Sequence, residues 1–328
     1  MHKSPVHDFH IKHGGHMVDY AGWELPIRFR SIRDEHEQTR KSGSVFDVSH
    51  MGRIEIKGLH ARRLLERACS RRIGNMQAGQ CRYTLICNER GGVRDDAVVM
   101  RLDDDEFLMV CNGANREKIG DHLASIAGER PEWKVKLEDK TLKTAMVAIQ
   151  GPKVMELVSA VSKEIPTLKR WRFTVKNLMI IKLIVSRTGY TGEDGVEVIL
   201  PASAVGMAMR LLILDVDPDD PNAVLKPAGL ASRGHAPPRG GHAALRARAR
   251  RGHQRPRVQA RLRDQPRQDR GRRRHVRRAG GARPRNATPA VRPSGSSGSS
   301  SIPNAPPARA CPSARQRNRS GTSAADCA

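Results

Sequence analysis

The chain has 328 residues and a net charge of +25, and no run in it reads as a signal peptide or a membrane-spanning segment, so a soluble cytoplasmic protein with no membrane partner is expected. Its six cysteines form no C-x-x-C pair and show no metal-ligand spacing, which argues for reduced thiols and against a zinc site. The charge is unevenly placed: residues 234–328 hold 23 Arg, no Lys and three acids, leaving +5 for residues 1–233.

Residues 1–233 read as a dense α+β domain. "GRIEIKG" (Gly52–Gly58) alternates as a strand does, and "HARRLLERAC" (His60–Cys69) has the helical spacing of Leu64, Leu65 and Ala68. Three strand-like runs follow between Cys81 and Asn112, broken by "NERGG" and "LDDDE", which predicts an antiparallel meander. A helix is expected over "NREKIGDHLASIAG", with Asn112 or Asn115 as its cap. Next come a strand over Leu142–Gly151 and a helix opened by Pro152. Two strands then flank the Gly-rich turn within Met179–Pro201, and a helix runs over Ala202–Leu214. Antiparallel sheets with flanking helices give an α+β class and not a doubly wound α/β sheet.

Four clusters carry polar groups that could do chemistry: "FDVSHMG" (Phe46–Gly52), "NERGGVRDD" (Asn88–Asp96), "SRTGYTGEDGVE" (Ser186–Glu197) and "AGLASR" (Ala228–Arg233). By pattern alone "GGVRDD" serves as a hairpin turn, with Gly91 and Gly92 supplying positive φ and Asp95 capping locally. Its functional reading is a carboxylate at a sheet end facing a cleft, where partial desolvation suits it to act as a base or orienting acceptor. His50 reads by default as a structural histidine and Met51 as core. The three glycines of "TGYTGEDGVE" let backbone approach a ligand, without the strand, G-x-G-x-x-G and helix of a dinucleotide site. Glu197 and Arg233 are ordinary surface charges when taken singly. Together they could grip a flat heterocycle, the Glu accepting N–H bonds and the Arg taking a carboxylate.

Seven motifs in order, "DFHIKHGGHMVDYAGWELPI", "GSVFDVSHMG", "CNERGGVRDD", "VCNGANREK", "AIQGP", "SRTGYTGEDGVE" and "KPAGLASR", are spaced as in the aminomethyltransferases, the T-proteins of the glycine cleavage system, and the chain resembles that family from about residue 4 to 233. The resemblance implies an enzyme that takes an aminomethyl group from a lipoylated H-protein, passes methylene to tetrahydrofolate and releases ammonia, with no metal. Asp96 resembles the family's catalytic carboxylate. Glu197 matches its pterin-gripping glutamate and Arg233 a folate-contacting arginine. Asn112, Tyr83, Met51 and Tyr190 fall on pocket-lining positions. Demethylase-type folate relatives share the scaffold as an alternative, but they are usually fused to a flavin domain. Nothing here matches the Lys-Gly-Cys-Tyr-type motif of the iron–sulfur maturation relatives.

After Arg233 the family continues into a further helix and a C-terminal β-barrel, neither of which is written here. All eleven aromatic residues lie at or before Tyr190, so residues 234–328 have little apolar surface to offset their ordering entropy and are expected to be disordered. Back-translating Gly234–Ala249 with third bases free and reading one base later yields Asp-Thr-Leu-Arg-Leu-Glu-Ala-Gly-Met-Pro-Leu-Tyr-Gly-His-Glu, a family-like stretch. The tail therefore resembles an out-of-frame translation that makes the enzyme impaired, and its Arg content reflects codons. The competing reading, an Arg-rich nucleic-acid-binding arm, lacks a stacking platform and a groove-reading motif; it predicts only loose, salt-sensitive binding and no specific nucleic-acid partner.

Overall fold

The computed structural model describes residues 1–178, 181–212 and 222–235. Of the tail expected to be disordered and out of frame, Gly234 and His235 complete the helix Leu230–His235, while residues 236–328, the expected strand start at Met179 and the last two residues of the helix expected over Ala202–Leu214 lie outside the described residues.

The first elements are β1 (His2–Lys3), α1 (His7–Lys12), β2 (His16–Tyr20), β3 (Trp23–Arg28), α2 (Ile32–Lys41) and β4 (Gly43–Asp47). Then follow β5 (Gly52–Lys57), α3 (Ala61–Ala68), β6 (Cys81–Cys87), β7 (Val93–Asp103), β8 (Glu106–Cys111), α4 (Arg116–Gly128) and β9 (Lys136–Asp139). The remainder is β10 (Thr144–Gln150), α5 (Val154–Val161), β11 (Phe173–Leu178), β12 (Ile181–Ser186), β13 (Gly195–Pro201), α6 (Val205–Leu212), β14 (Leu225–Pro227) and α7 (Leu230–His235).

These strands form three sheets, in the orders β1-β3-β2, β11-β12-β13-β10-β4-β14 and β6-β7-β8-β5-β9. All pairings are antiparallel except β1 with β3 and β14 with β4. The class is α+β, as the alternation of apolar residues implied.

Period-two alternation decides which face of each sheet does what. On the five-stranded sheet, Ile54, Ile56, Ala97, Val99, Phe107 and Met109 turn to α3 and α4, where they pack with Leu64, Leu65, Ile119 and Leu123. Burying each of the larger side chains contributes on the order of 2 kcal/mol. On the six-stranded sheet, Val45, Val147, Ile149, Val196, Val198 and Leu200 form a second core with Val154 of α5 and Val205 of α6. The intervening residues of both sheets, among them Met100, Leu108 and Val110 from one and Phe46, Met146, Ala148 and Ile199 from the other, meet in a third core. The functional side chains extend from this third, inter-sheet layer.

Several local expectations change. Asn112 and Asn115 make no side-chain cap to the helical turns they precede, because both amides are drawn to Asp95. Asp95 in turn caps no local turn; it accepts these bonds across the hairpin. Of the two turn glycines only Gly91 has positive φ, at 77°, while Gly92 packs against the Asn88 side chain. The helix after Gly151 starts at Val154 with Lys153 at its N-cap, so Pro152 lies in the turn ahead of it. Strand β10 begins at Thr144, after a single 3-10 turn over Thr141–Lys143. Strand β11, which the sequence pattern did not reveal, pairs along the length of β12. The N-terminal motifs, read without element assignments, form β1 to β4 with α1 and α2.

Candidate functional site

A cavity of about 240 Å³ opens beside the inter-sheet core. Met51, Tyr83, Asp96, Asn112, Tyr190, Glu197 and Arg233, the seven residues singled out in the sequence, all line it, and each is half-buried.

Asp95 and Asp96 are consecutive on β7, so their side chains leave opposite faces of the sheet. Asp95 is buried and accepts the Asn112 backbone N–H at 3.0 Å, Asn112 Nδ2 at 2.6 Å and Asn115 Nδ2 at 2.9 Å. Burial raises its pKa despite these bonds, and the neighbouring Asp96 charge raises it further. Asp96 faces the cavity. Its carboxylate accepts Tyr83 Oη at 3.0 Å and Asn112 Nδ2 at 3.0 Å, one bond on each oxygen. Tyr83 pairs with Val98 and Asp96 with Leu85, so the two side chains meet diagonally across β6 and β7. Asn112 thus binds both acids and fixes the rotamer of the one that faces the cavity.

Glu197 leaves β13 between Val196 and Val198, both directed into the second core. One carboxylate oxygen accepts Thr188 Oγ1 at 2.6 Å; the other lies 3.3 Å from Arg233 Nη2. The Arg233 guanidinium carbon sits 5.3 Å from the centre of the Tyr190 ring, in cation–π range. Beneath this wall lies Gln150, which is fully buried; its amide donates to the carbonyls of Thr188 and Val196 and its oxygen accepts Thr191 Oγ1. A Cβ on Gly189 would lie 1.8 Å from Gln150 Oε1, and one on Gly195 would lie 2.2 Å from the Ile149 carbonyl oxygen. Two of the glycines expected to let backbone approach a ligand therefore admit the Gln150 amide. Gly192, at φ 83°, turns the loop at the cavity wall.

Other contributors were given no role in the sequence reading, although Arg187 and Asp194 stand within "SRTGYTGEDGVE". Trp171 lines the cavity 6.4 Å from the Tyr83 ring and holds a left-handed φ of 65°, which its N–H bond to the Arg187 carbonyl and its carbonyl bond from Cys81 maintain. Arg187 grips Asp194 through two nitrogens and also donates to the carbonyls of Pro166 and Leu168, fixing the far rim. Arg53 is fully buried, and its guanidinium donates to Thr144 Oγ1 and to the carbonyls of Ser49, Met51, Thr141 and Thr144, which holds Met51 at the cavity. Desolvation lowers its pKa to about 10. "AIQGP" was the one sequence signal for Gln150; Trp171 and Arg53 stand in no motif whose chemistry suggested a role.

Among the described residues no helix is long and apolar enough to cross a membrane. Among the same residues no group of three or more His, Cys, Asp or Glu is arranged to hold a metal ion.

The profile described as the GCVT N-terminal domain matches residues 6–233. An aminomethyltransferase of Oceanobacillus iheyensis is 37% identical over 237 residues, covering 70% of this chain and 62% of its own length. An aminomethyltransferase of Rubrobacter xylanophilus is 37% identical over 235 residues, covering 71% and 60%. The crystal structure of the glycine cleavage system aminomethyltransferase T from Bartonella henselae superposes with a TM-score of 0.62 at 27% identity, over 70% of this chain and 60% of that one. The chain thus spans about 60% of the length of the relatives it matches.

Proposed function

The chain belongs to the GCVT N-terminal domain family, and on that premise we propose that residues 1–233 are the folate-binding region of a cytoplasmic aminomethyltransferase. Its reaction would move methylene from an aminomethyl group on the lipoylated H-protein to tetrahydrofolate, with release of ammonia. One observation carries the reading: two anchored carboxylates, Asp96 on one sheet and Glu197 on the other, border the same aromatic-walled cavity.

The donor set suits a pterin. Glu197 spends one bond on Thr188 and one on Arg233, and a carboxylate has about four acceptor sites, so it keeps capacity for the N–H edge of a flat heterocycle. Tyr83, Trp171 and Tyr190 offer aromatic faces and Met51 an adaptable apolar one. Arg233, its guanidinium beside Tyr190, brings a positive charge to the cavity that suits an anionic or carbonyl group of the ligand. The reduced folate supplies the nitrogen that accepts the one-carbon unit. Asp96, its rotamer set by Tyr83 and Asn112, orients that ligand and takes up the proton released as the folate nitrogen bonds the methylene carbon, whose bonds to the leaving ammonia and to the lipoyl sulfur break to give ammonia and the free thiol.

Residues 234–328 are, on this reading, an out-of-frame translation, and the enzyme is impaired because the relatives' remaining length has no matched counterpart. Resequencing the DNA across codon 233 tests this: an alternative frame that does not continue into family-like sequence defeats it. The chemistry is tested in a chain whose frame is restored after Arg233. There, Asp96→Asn is expected to lower methylene transfer about a hundredfold or more while tetrahydrofolate still binds. Unchanged transfer would remove Asp96 from the mechanism. For the chain as written, anaerobic calorimetry is expected to show weaker tetrahydrofolate binding than for the Oceanobacillus iheyensis relative, and equal affinity would overturn the impairment.

A further inference from the structure

Arg233 reaches the cavity from α7, a helix of six residues, too short to hold its own place through backbone bonds alone. The Ala228 N–H bond to the Val45 carbonyl ends the strand before it, and the next residue is held by a carboxylate from the other end of the sequence. Glu35, in α2 and 1% exposed, accepts the Phe29 and Arg30 N–H groups on Oε1 at 2.6 and 2.9 Å. On Oε2 it accepts the Gly229 N–H at 2.8 Å, immediately before α7 begins. Gly229 is pressed so closely on the strand below that a Cβ would lie 2.3 Å from the backbone of Ile27 and Arg28. Ser232 Oγ then bonds back to the Gly229 carbonyl at 2.8 Å, and Arg233 follows.

We infer that Glu35 is the positioning residue for Arg233: one buried carboxylate ties the β3–α2 turn to the start of α7, and so sets where the guanidinium meets Glu197 and Tyr190. Its ligand-dependent part rests on the folate reading of the cavity. The chemistry requires an acid. Donors approach both oxygens, so an amide could face one side with its oxygen and would set its NH₂ against N–H groups on the other. Glu35→Gln therefore loosens one of the two attachments while keeping side-chain volume.

The test uses the full chain and two readouts. The first needs no ligand: the Nε–H NMR resonance of Arg233, assigned by its loss in Arg233→Lys, is expected to shift in Glu35→Gln while the Trp171 indole N–H stays in place. An Arg233 resonance that does not move overturns the inference. The second is tetrahydrofolate titration in a double-mutant cycle. Glu35→Gln is expected to weaken binding about tenfold when Arg233 is present, the scale of one hydrogen bond to a charged group, and less than twofold in an Arg233→Ala background. Equal weakening in both backgrounds would make Glu35 a general structural residue and overturn its link to Arg233. If tetrahydrofolate fails to bind the parent chain, the impairment accounts for it and the resonance alone decides about Glu35; failure to bind the chain whose frame is restored after Arg233 sinks the folate reading. If Glu35→Gln does not fold, Glu35→Asp, which shortens the reach by one methylene, takes its place with the same expected outcomes.

Discussion

His50 offers a direct check on the electrostatics of the site. It is 5% exposed, lies in the turn whose Ser49 and Met51 carbonyls Arg53 holds, stands edge-on to Tyr20 at 5.1 Å, and its Nδ1 has no hydrogen-bond partner among the described residues. Burial lowers its pKa from 6.5 to about 4; the charges of Arg233 and Arg53 act in the same direction, and Asp47 opposes them. In the native state the ring stays neutral until about pH 4, whereas in the unfolded chain it protonates near 6.5, so between these limits the unfolded state binds the extra proton. Stability is accordingly retained above pH 6.5 and lost as the pH falls toward 4. The difference of about 2.5 units corresponds to about 3 kcal/mol over the whole window. Urea unfolding of the parent chain and of His50→Gln, compared at steps from pH 7.5 to 4, isolates this group, because the other titrating residues are common to both. The parent is expected to lose about 3 kcal/mol more than the variant on the way down. Two parallel profiles would refute the claim that His50 is held neutral by burial.

Glycine substitutions should separate close packing from mere flexibility. Gly195→Ala, whose Cβ would meet the Ile149 carbonyl oxygen at 2.2 Å, is expected to destabilise by on the order of 3 kcal/mol. Gly120→Ala, inside α4 with nothing within 4 Å, is expected to stabilise by up to about 1 kcal/mol, and denaturant midpoints read both. Burial pushes the Cys69 and Cys111 thiols up to about 12 and raises Cys81 as well, while Cys87 is only half-buried. Alkylation of the native chain at pH 7.5, mapped by mass spectrometry, should thus label Cys87 well before these three. Equal labelling of all four would show that the cores enclosing them are open.

Local period and turn chemistry by themselves determined much of the scaffold. The i, i+4 stripe of α3, the alternation of β5 to β8 and the break at "NERGG" each involve neighbours in the chain, and they appear where the spacing placed them. The family resemblance also named seven residues, six of them within the ordered motifs, that the fold gathers on one cavity. What the alternation of "RDD" could say was that Asp95 and Asp96 face opposite ways. Which of them meets the cavity was decided by α3 and α4 covering one side of that sheet, a fact of layers and not of the dipeptide. The Gln150 amide beneath Gly189 and Gly195, the left-handed Trp171 and the Glu35 carboxylate on Gly229 were likewise decided only by tertiary structure. The physical reason is common to all three. A buried polar group must find its partner wherever the folded chain brings one, and Gly229 lies 194 residues from Glu35. Sequence spacing records which face a side chain takes; it carries no record of what will be packed against it.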